Sequence, residues 1–175
     1  MPEHRVETPS SYRALESFLW NDFDTGLYGW GQWVSRKIPQ ASIAATESRA
    51  FRRAMQLHGA LRSLQAENND LATGEEDAAR EVFNRLVIRH GIHPRLDEHG
   101  CLILESGESE VDAVSQLVLT ALEAMQMGEW GRFKLCRDPT CRASYYDASK
   151  SAAKTWCSME TCGSRNKMRR YRAKS

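Results

Sequence analysis

The chain has 175 residues, of which 41% are hydrophobic, and its formal net charge is only +1. This length and composition suit one domain of moderate size with a small appendage. We find no apolar run long enough to cross a membrane, no low-complexity tract and no solenoid repeat, so we predict neither a membrane nor a repeat protein. The first residues, Met1-Pro2-Glu3-His4, lead into polar sequence without the apolar segment of a secretory signal. We therefore expect a cytoplasmic protein with reduced thiols.

The near-neutral total hides two parts of opposite charge. Residues 1–130 carry 12 Lys and Arg against 20 Asp and Glu, a formal −8. Residues 131–175 carry 12 Lys and Arg against 3 Asp and Glu, a formal +9. This asymmetry indicates an anionic partner for the second part and a different role for the first.

The first segment is typical of helices. Thr8-Pro9 is a helix-start signal, and four apolar residues follow at helical spacing: Tyr12, Leu15, Phe18 and Leu19. Residues 26–33 are rich in glycine and aromatic side chains and include Trp30 and Trp33. Two interpretations of these tryptophans are open. They are anchors of the core, which is the common role, or they line a pocket for a small-molecule effector.

A long helix is predicted over residues 43–64, with Phe51, Met55, Leu61 and Leu64 on its buried stripe. Four arginines also lie on this helix: Arg49, Arg52, Arg53 and Arg62. A solvated basic face is favoured over an anion-binding site, because a run of charge alone is weak evidence for a ligand.

Three further elements follow before the charge changes sign. Thr73-Gly74-Glu75-Glu76 is a capping box that starts a helix ending at Gly91. Residues 92–105 change to the period of strands and predict a hairpin that turns at Glu98-His99-Gly100. Ser109 and Asp112 form a second capping signature, before an amphipathic helix that ends at Gly128.

Four of the five cysteines form two close pairs, Cys136-x4-Cys141 and Cys157-x4-Cys162, with fifteen residues between the pairs. Such pairs suit one tetrahedral zinc ion, because each short turn delivers two thiolates to adjacent corners. Two disulfides would use the same residues, but reduced thiols disfavour them. Four thiolates leave zinc no open position, so we predict one structural zinc ion and no catalytic metal.

The residues after the last cysteine are dense in cations and lack acids. As a helix, they would place Arg165, Arg169 and Arg172 on one face, whereas Met168 and Tyr171 would pack on the zinc turn. We predict nucleic-acid contacts from the polar residues of this segment: Arg165, Asn166, Lys167, Arg169, Arg170, Arg172 and Lys174. The alternatives are a solvated basic tail, or cations that complement the helix dipole.

The same residues resemble the CGNR-type zinc finger of bacterial proteins. The resemblance lies in Cys136, Cys141, Tyr145, Asp147, Ser149, Trp156-Cys157-Ser158-Met159, Cys162-Gly163, Arg165 and Lys167. Two positions depart from the family pattern: Ser164 replaces the name-giving asparagine, and Lys154-Thr155 replaces an arginine pair. In that family the finger follows a larger ABATE domain, and the proteins are described as stress-associated transcription regulators. The resemblance therefore implies a bacterial DNA-binding regulator whose front part senses a ligand.

We predict a mainly α-helical protein with a small β-hairpin. Its domains would be a helical, ABATE-like sensor at 1–130 and a treble-clef-like four-cysteine zinc finger at 131–175. We expect no enzyme, because the sequence contains no P-loop, dinucleotide fingerprint or nucleophile elbow. The expected partners are nucleic acid, with DNA favoured, and a small-molecule effector, and a homodimer is left open. The competing hypotheses are a protein-interaction module that binds an acidic partner, and an RNA-binding protein.

Overall fold

The computed structural model describes residues 8–20, 26–41, 48–107 and 112–173. Its helices are α1 (Arg13–Trp20), α2 (Leu27–Lys37), α3 (Ser48–Glu67), α4 (Glu76–Arg89), α5 (Ala113–Gln126) and α6 (Ser164–Arg172). Its strands are β1 (His93–Leu96), β2 (Leu102–Glu105), β3 (Phe133–Leu135) and β4 (Ser144–Tyr146). Short helical turns lie at Ser10–Tyr12, Trp130–Arg132 and Met159–Gly163. None of the described helices combines the length and the apolar character that crossing a membrane requires.

Two small antiparallel hairpins complete the helical fold, which confirms the predicted fold class. In the first hairpin His93 pairs with Glu105 and Leu96 pairs with Leu102. Gly100 has a φ of +76° in the turn, a conformation that glycine adopts without strain. The second hairpin, which pairs β3 with β4, belongs to the cysteine-rich segment.

The local start signals hold in part. Helix α4 begins at Glu76 without a side-chain cap, so Thr73 does not cap it, and Pro9 precedes the short turn Ser10–Tyr12, which also has no side-chain cap. The Glu76 carboxylate accepts hydrogen bonds from the backbone N–H groups of Thr73, at 2.5 Å, and Gly74, at 2.8 Å. Asp112 caps α5, because its carboxylate accepts a 2.7 Å hydrogen bond from the N–H of Ser115. Ser109, the other residue of that predicted signature, lies outside the described residues, as do residues 42–47 at the predicted start of α3.

Trp30 and Trp33 lie in the core. Both side chains are fully buried, and their rings stack with centroids 5.4 Å apart. The Trp33 indole N–H donates to Ser17 Oγ at 3.0 Å, so its one polar group is satisfied. The structure therefore supports the interpretation of the two indoles as core anchors. The concave surface on α2 is lined instead by side chains of its other face, including Leu27 and Tyr28.

Helix α3 crosses the centre of the core. Leu57 and Leu61 are fully buried on it, and the His58 ring makes an edge-to-face contact with Phe18 at 5.4 Å. Burial and the neighbouring Arg62 guanidinium lower the pKa of His58 to about 4, so its imidazole is neutral at pH 7. The helix ends at Glu67, against the cysteine-rich segment.

Candidate metal centre and basic helix

The first pair of cysteines lies in a tight turn after β3. Cys136 donates its backbone N–H to the Ala143 carbonyl at 2.8 Å, which joins the two ends of the turn. The Asp138 carbonyl accepts from the N–H groups of Cys141, at 2.9 Å, and Arg142, at 3.1 Å. Arg142 has a φ of +50°, so the chain reverses sharply before it enters β4. This geometry brings Cys141 back beside Cys136.

The second pair lies in a turn that becomes helix α6. The Ser158 carbonyl accepts from the N–H groups of Cys162, at 3.1 Å, and Gly163, at 3.0 Å. A Cβ atom on Gly163 would lie only 3.1 Å from Met159 Sδ and 3.4 Å from Trp156 Cδ1. A larger residue at Gly163 would therefore displace the side chains that cover the turn. The helix begins directly after this glycine.

The four sulfur atoms lie within 4.8 Å of one another. Cys157 Sγ is 3.7 Å from both Cys141 Sγ and Cys162 Sγ. A tetrahedron with Zn–S bonds of about 2.3 Å has sulfur–sulfur edges of about 3.8 Å, so these separations fit a zinc shell and are too long for disulfides. The four predicted ligands are therefore brought together, and they fit one structural zinc ion.

Burial has a consequence for these thiols. It raises the pKa of Cys136 and of Cys157, so both sulfurs keep their protons at neutral pH unless a cation replaces them. Zinc binding therefore releases protons, and the affinity of the site for zinc falls as the pH is lowered. All four cysteines take part in the site, and no position is left for a reacting ligand.

A buried carboxylate connects α6 with the first cysteine turn. Asp138 is fully buried and accepts from the N–H and the hydroxyl of Thr140, at 3.1 and 2.9 Å, and from Arg169 Nη2 at 2.9 Å. Arg165 Nε lies 3.5 Å from its other oxygen. Although burial opposes ionisation, the hydrogen bonds from Arg169 and Thr140 hold the pKa of Asp138 well below its usual range.

Two residues of α6 also contact the last cysteine. Arg165 Nη2 lies 3.5 Å from Cys162 Sγ, and its Nη1 donates to Thr140 Oγ1 at 3.0 Å. Asn166 Nδ2 donates to the Cys162 carbonyl at 3.0 Å. Contacts of this kind orient metal ligands and tune their basicity. One face of α6 is thus used to support the metal centre.

The opposite face of α6 is exposed. Lys167 and Arg170 lie there, and neither forms an ion pair with an acid that the structure describes. Arg172 is also exposed, but it lies on the side of Arg165 and Arg169, as the helical spacing predicts, and lines a groove with them. Met168 and Tyr171 are 53% and 71% exposed, so the expectation that they pack on the zinc turn is wrong. Trp156 packs against the cysteines instead. Lys174 lies outside the described residues.

Lys134 and Asp147 form a buried ion pair beneath the second hairpin, with Nζ and Oδ2 3.0 Å apart. Lys134 also donates to the carbonyls of Ala152 and Lys154, and Asp147 accepts from the N–H and hydroxyl of Ser149. Against the cost of burial, the bonds from Ser149 and Lys134 lower the pKa of Asp147. These contacts hold the loop between the cysteine pairs, and no local pattern in the sequence marks Lys134 for this role.

Polar side chains at the end of α3 dock the finger onto the helices. Gln65 Nε2 donates to Ser144 Oγ at 2.8 Å. Asn68 Nδ2 donates to the carbonyls of Trp130 and Phe133 at 2.8 and 2.9 Å. Asn69 Nδ2 donates to Leu135, at 2.7 Å, and to Thr155, at 3.1 Å. The Phe133 side chain enters the main core, so the finger and the helices share packing as well as hydrogen bonds.

We expect Asn69→Ala to destabilise the docked finger by about 1–3 kcal/mol, because the buried hydrogen bond to the Leu135 carbonyl is lost and the half-buried Thr155 carbonyl keeps only the N–H of Arg137. Urea unfolding of the zinc-loaded protein measures this difference. Asn84→Ala is the matched control, since Asn84 is exposed on α4 and its replacement should change stability by about 0.5 kcal/mol or less. Equal unfolding midpoints for the two variants would contradict a role of Asn69 in docking.

Residues 132–175 match the family of the CGNR zinc finger. The match begins at the last residue of the turn before β3 and includes all four cysteines, the Lys134–Asp147 pair and α6. A search of curated proteins found no match to the chain. The zinc-finger assignment of this segment therefore rests on both the family match and the cysteine geometry.

Proposed function

We propose that this protein is a transcription regulator whose zinc finger binds nucleic acid, with duplex DNA as its target. The observation that carries the proposal is the exposed cationic face of α6. Lys167 and Arg170 extend from a helix whose other face is held by the metal centre and by Asp138, and Arg172 is exposed at the last residue of the same helix. A basic helix held in this way presents preformed donors to phosphates and to base edges.

The charge of the finger agrees with such a partner. Residues 131–175 carry a formal +9, and two of their three acids, Asp138 and Asp147, are fully buried in ion pairs. Exposed cations therefore dominate the surface of the finger, which favours association with a phosphate backbone and counterion release. The exposed side chains of Met168 and Tyr171 add an apolar contact surface on the same helix.

We divide the proposed contact residues into two groups, according to the side-chain bonds that each one makes. Arg165, Asn166 and Arg169 are positioning residues in this proposal, because their side chains bond to Asp138, Thr140 or Cys162. Lys167, Arg170 and Arg172 would make the direct contacts. Ser164, which replaces the name-giving asparagine of the family, is exposed at the start of α6 and would change the specificity of base contacts.

The helical part would be the sensor of the regulator. In this proposal residues 1–130 form an ABATE-like domain that binds an effector in a bacterial cytoplasm, without enzymatic activity, and a homodimer would place two fingers on one site. The buried indoles of Trp30 and Trp33 do not supply the effector pocket.

Nucleic-acid binding is tested with the zinc-loaded full chain by fluorescence anisotropy on duplex DNA and on RNA, across a salt series. We expect Lys167→Gln with Arg170→Gln to weaken DNA binding about tenfold or more. The salt slope should also become shallower by about 0.9 for each phosphate contact removed. Arg36→Gln with Lys37→Gln is the matched control, because it removes the same charge from an exposed part of α2 and should preserve the slope.

The alternatives give different results in the same assay. Unchanged DNA binding in the α6 variant would place the contact elsewhere on the chain. Tighter binding of RNA than of duplex DNA would make the protein an RNA reader. Folded, zinc-loaded protein that binds neither nucleic acid at low salt would favour an interaction module for an acidic protein partner.

A further inference from the structure

A cationic cleft lies between α3 and α4, away from the finger. Five arginines line it, from the two helices: Arg49, Arg52, Arg53, Arg85 and Arg89. Gln56 is also in the lining, and Val82 and Leu86 contribute apolar surface. The cleft has a volume of about 280 Å³. The sequence placed three of these arginines on one helix, whereas the fold brings two more from a second helix to face them.

Among the residues that the structure describes, few acids compensate the charges in this cleft. Among the described residues, the only ion pair made by these arginines joins Arg85 to Glu81 at 3.9 Å. This pair is exposed and spans a single helical turn, so it neutralises little of the cleft. The five arginines are also concentrated in the part of the chain with a formal charge of −8. A general need for basic surface therefore does not explain them.

The spacing of the arginines along each helix makes their repulsion unavoidable. Arg49 and Arg53 are four residues apart on α3, as are Arg85 and Arg89 on α4, so each pair shares a helix face. Like charges at this spacing destabilise a helix, and the packing of α3 against α4 adds further repulsion. A solvated basic face would not need the charges of two helices to converge, whereas a bound anion makes the convergence favourable.

We propose that this cleft binds a small anion that carries at least two phosphate groups. Each guanidinium can donate a bidentate pair of hydrogen bonds to phosphate oxygens, and five of them match the charge of a polyphosphate. The apolar floor of Val82 and Leu86 lowers the local dielectric and strengthens these bonds. The volume is close to the lower limit of small-molecule sites, so a compact anion fits it better than a nucleic-acid duplex.

The bound anion would be the effector of the regulator. Only this role as effector rests on the proposed function. Binding itself does not depend on the finger. A physical connection exists, because α3 carries three arginines of the cleft near its start, and Gln65 of the same helix bonds to Ser144 of the finger. Anion binding and nucleic-acid binding are therefore measured separately, so that the failure of one is distinguishable from the failure of the other.

The test is calorimetric titration of the zinc-loaded full chain with inorganic pyrophosphate, orthophosphate and sulfate at matched ionic strength. We expect pyrophosphate to bind most tightly, and Arg53→Gln with Arg85→Gln to lower its affinity about tenfold or more. The thermal midpoint of this cleft variant without anion should equal or exceed that of the unmodified protein, because repulsion is removed. This second readout shows that the variant is folded.

Two matched variants distinguish anion binding in the cleft from nonspecific attraction of the anion to positive charges elsewhere on the protein. Arg36→Gln with Lys37→Gln on α2, and Lys167→Gln with Arg170→Gln on α6, should each leave pyrophosphate affinity within about twofold of the unmodified protein. Equal weakening in the cleft variant and in either control would overturn the proposal, as would the absence of pyrophosphate binding at low ionic strength. A cleft variant that loses DNA affinity with a shallower salt slope would assign the phosphates to nucleic acid and overturn the small-anion site.

Discussion

Cys157→Ser is expected to abolish stoichiometric zinc binding and to unfold the finger. Cys157 Sγ lies 3.7 Å from two of the other three sulfurs, so its loss leaves an incomplete shell for the metal. Apparent binding energies of structural zinc in finger peptides are about 10–16 kcal/mol, which exceeds what so short a segment can recover from its own core. Metal analysis of the purified protein measures the zinc content, and chelator titration measures its affinity.

The helical part should lose stability in the same variant. Phe133 of β3 is fully buried in the main core, and Gln65 and Asn69 of α3 lose their partners when the finger unfolds. We therefore expect a lower thermal midpoint for the helices as well as the loss of finger signals in an NMR spectrum. Cys101→Ser is the matched control, since Cys101 is an exposed thiol outside the sulfur cluster. Stoichiometric zinc in Cys157→Ser would contradict the four-cysteine site.

The metal centre could be predicted because its information is local. Two cysteine pairs, each closed by a short turn, are recognisable from spacing alone. The capping residues Glu76 and Asp112 are equally local, since each carboxylate bonds to backbone groups two or three residues away. The first hairpin was predictable for the same reason, because a change of period and a Gly100 turn lie within fourteen residues.

Long-range pairing explains what the sequence did not reveal. Helical spacing correctly grouped Arg165 with Arg169, but the face they share is directed at Asp138, which lies 31 residues before Arg169. The signal for Asp138 was present in part, because Asp-Pro-Thr is a turn sequence whose aspartate bonds to the N–H two residues later. The docking of the finger could not be predicted from the sequence for the same reason, because its hydrogen bonds join residues that lie far apart in the chain. In the sequence, residues 67–71 are only a polar stretch between two helices, whereas in the fold Asn69 carries two of the docking bonds.

The cleft arginines show most clearly what a sequence pattern on a single helix cannot predict. A helix with several arginines is more often solvated than functional, and the sequence alone contains nothing that contradicts this. Only the packing of α3 against α4 places Arg85 and Arg89 opposite the arginines of α3. The pattern on one helix is therefore ambiguous, and the convergence of two helices is the informative observation.

Asp138→Asn should lower the affinity for zinc by about 10–100-fold, although Asp138 is not a metal ligand. The carboxylate joins the first cysteine turn to α6 through Arg169 and Arg165, and asparagine retains the shape but not the charge. Arg169→Ala should have a similar effect, and the two changes combined should cost less than the sum of their separate effects, because they break the same contact. Competition with a chromophoric chelator measures all three affinities.

The neighbouring Arg170 supplies the decisive comparison. Arg169 donates to a fully buried carboxylate, whereas Arg170 is exposed on the other side of the helix. We expect Arg170→Ala to preserve zinc affinity and to weaken nucleic-acid binding. Arg169→Ala should instead weaken zinc binding, and nucleic-acid binding should weaken as a consequence. Excess zinc should then restore nucleic-acid binding. If Arg169→Ala weakened nucleic-acid binding at unchanged zinc affinity, Arg169 would be a direct contact, and the division of α6 into a supporting face and a binding face would be wrong.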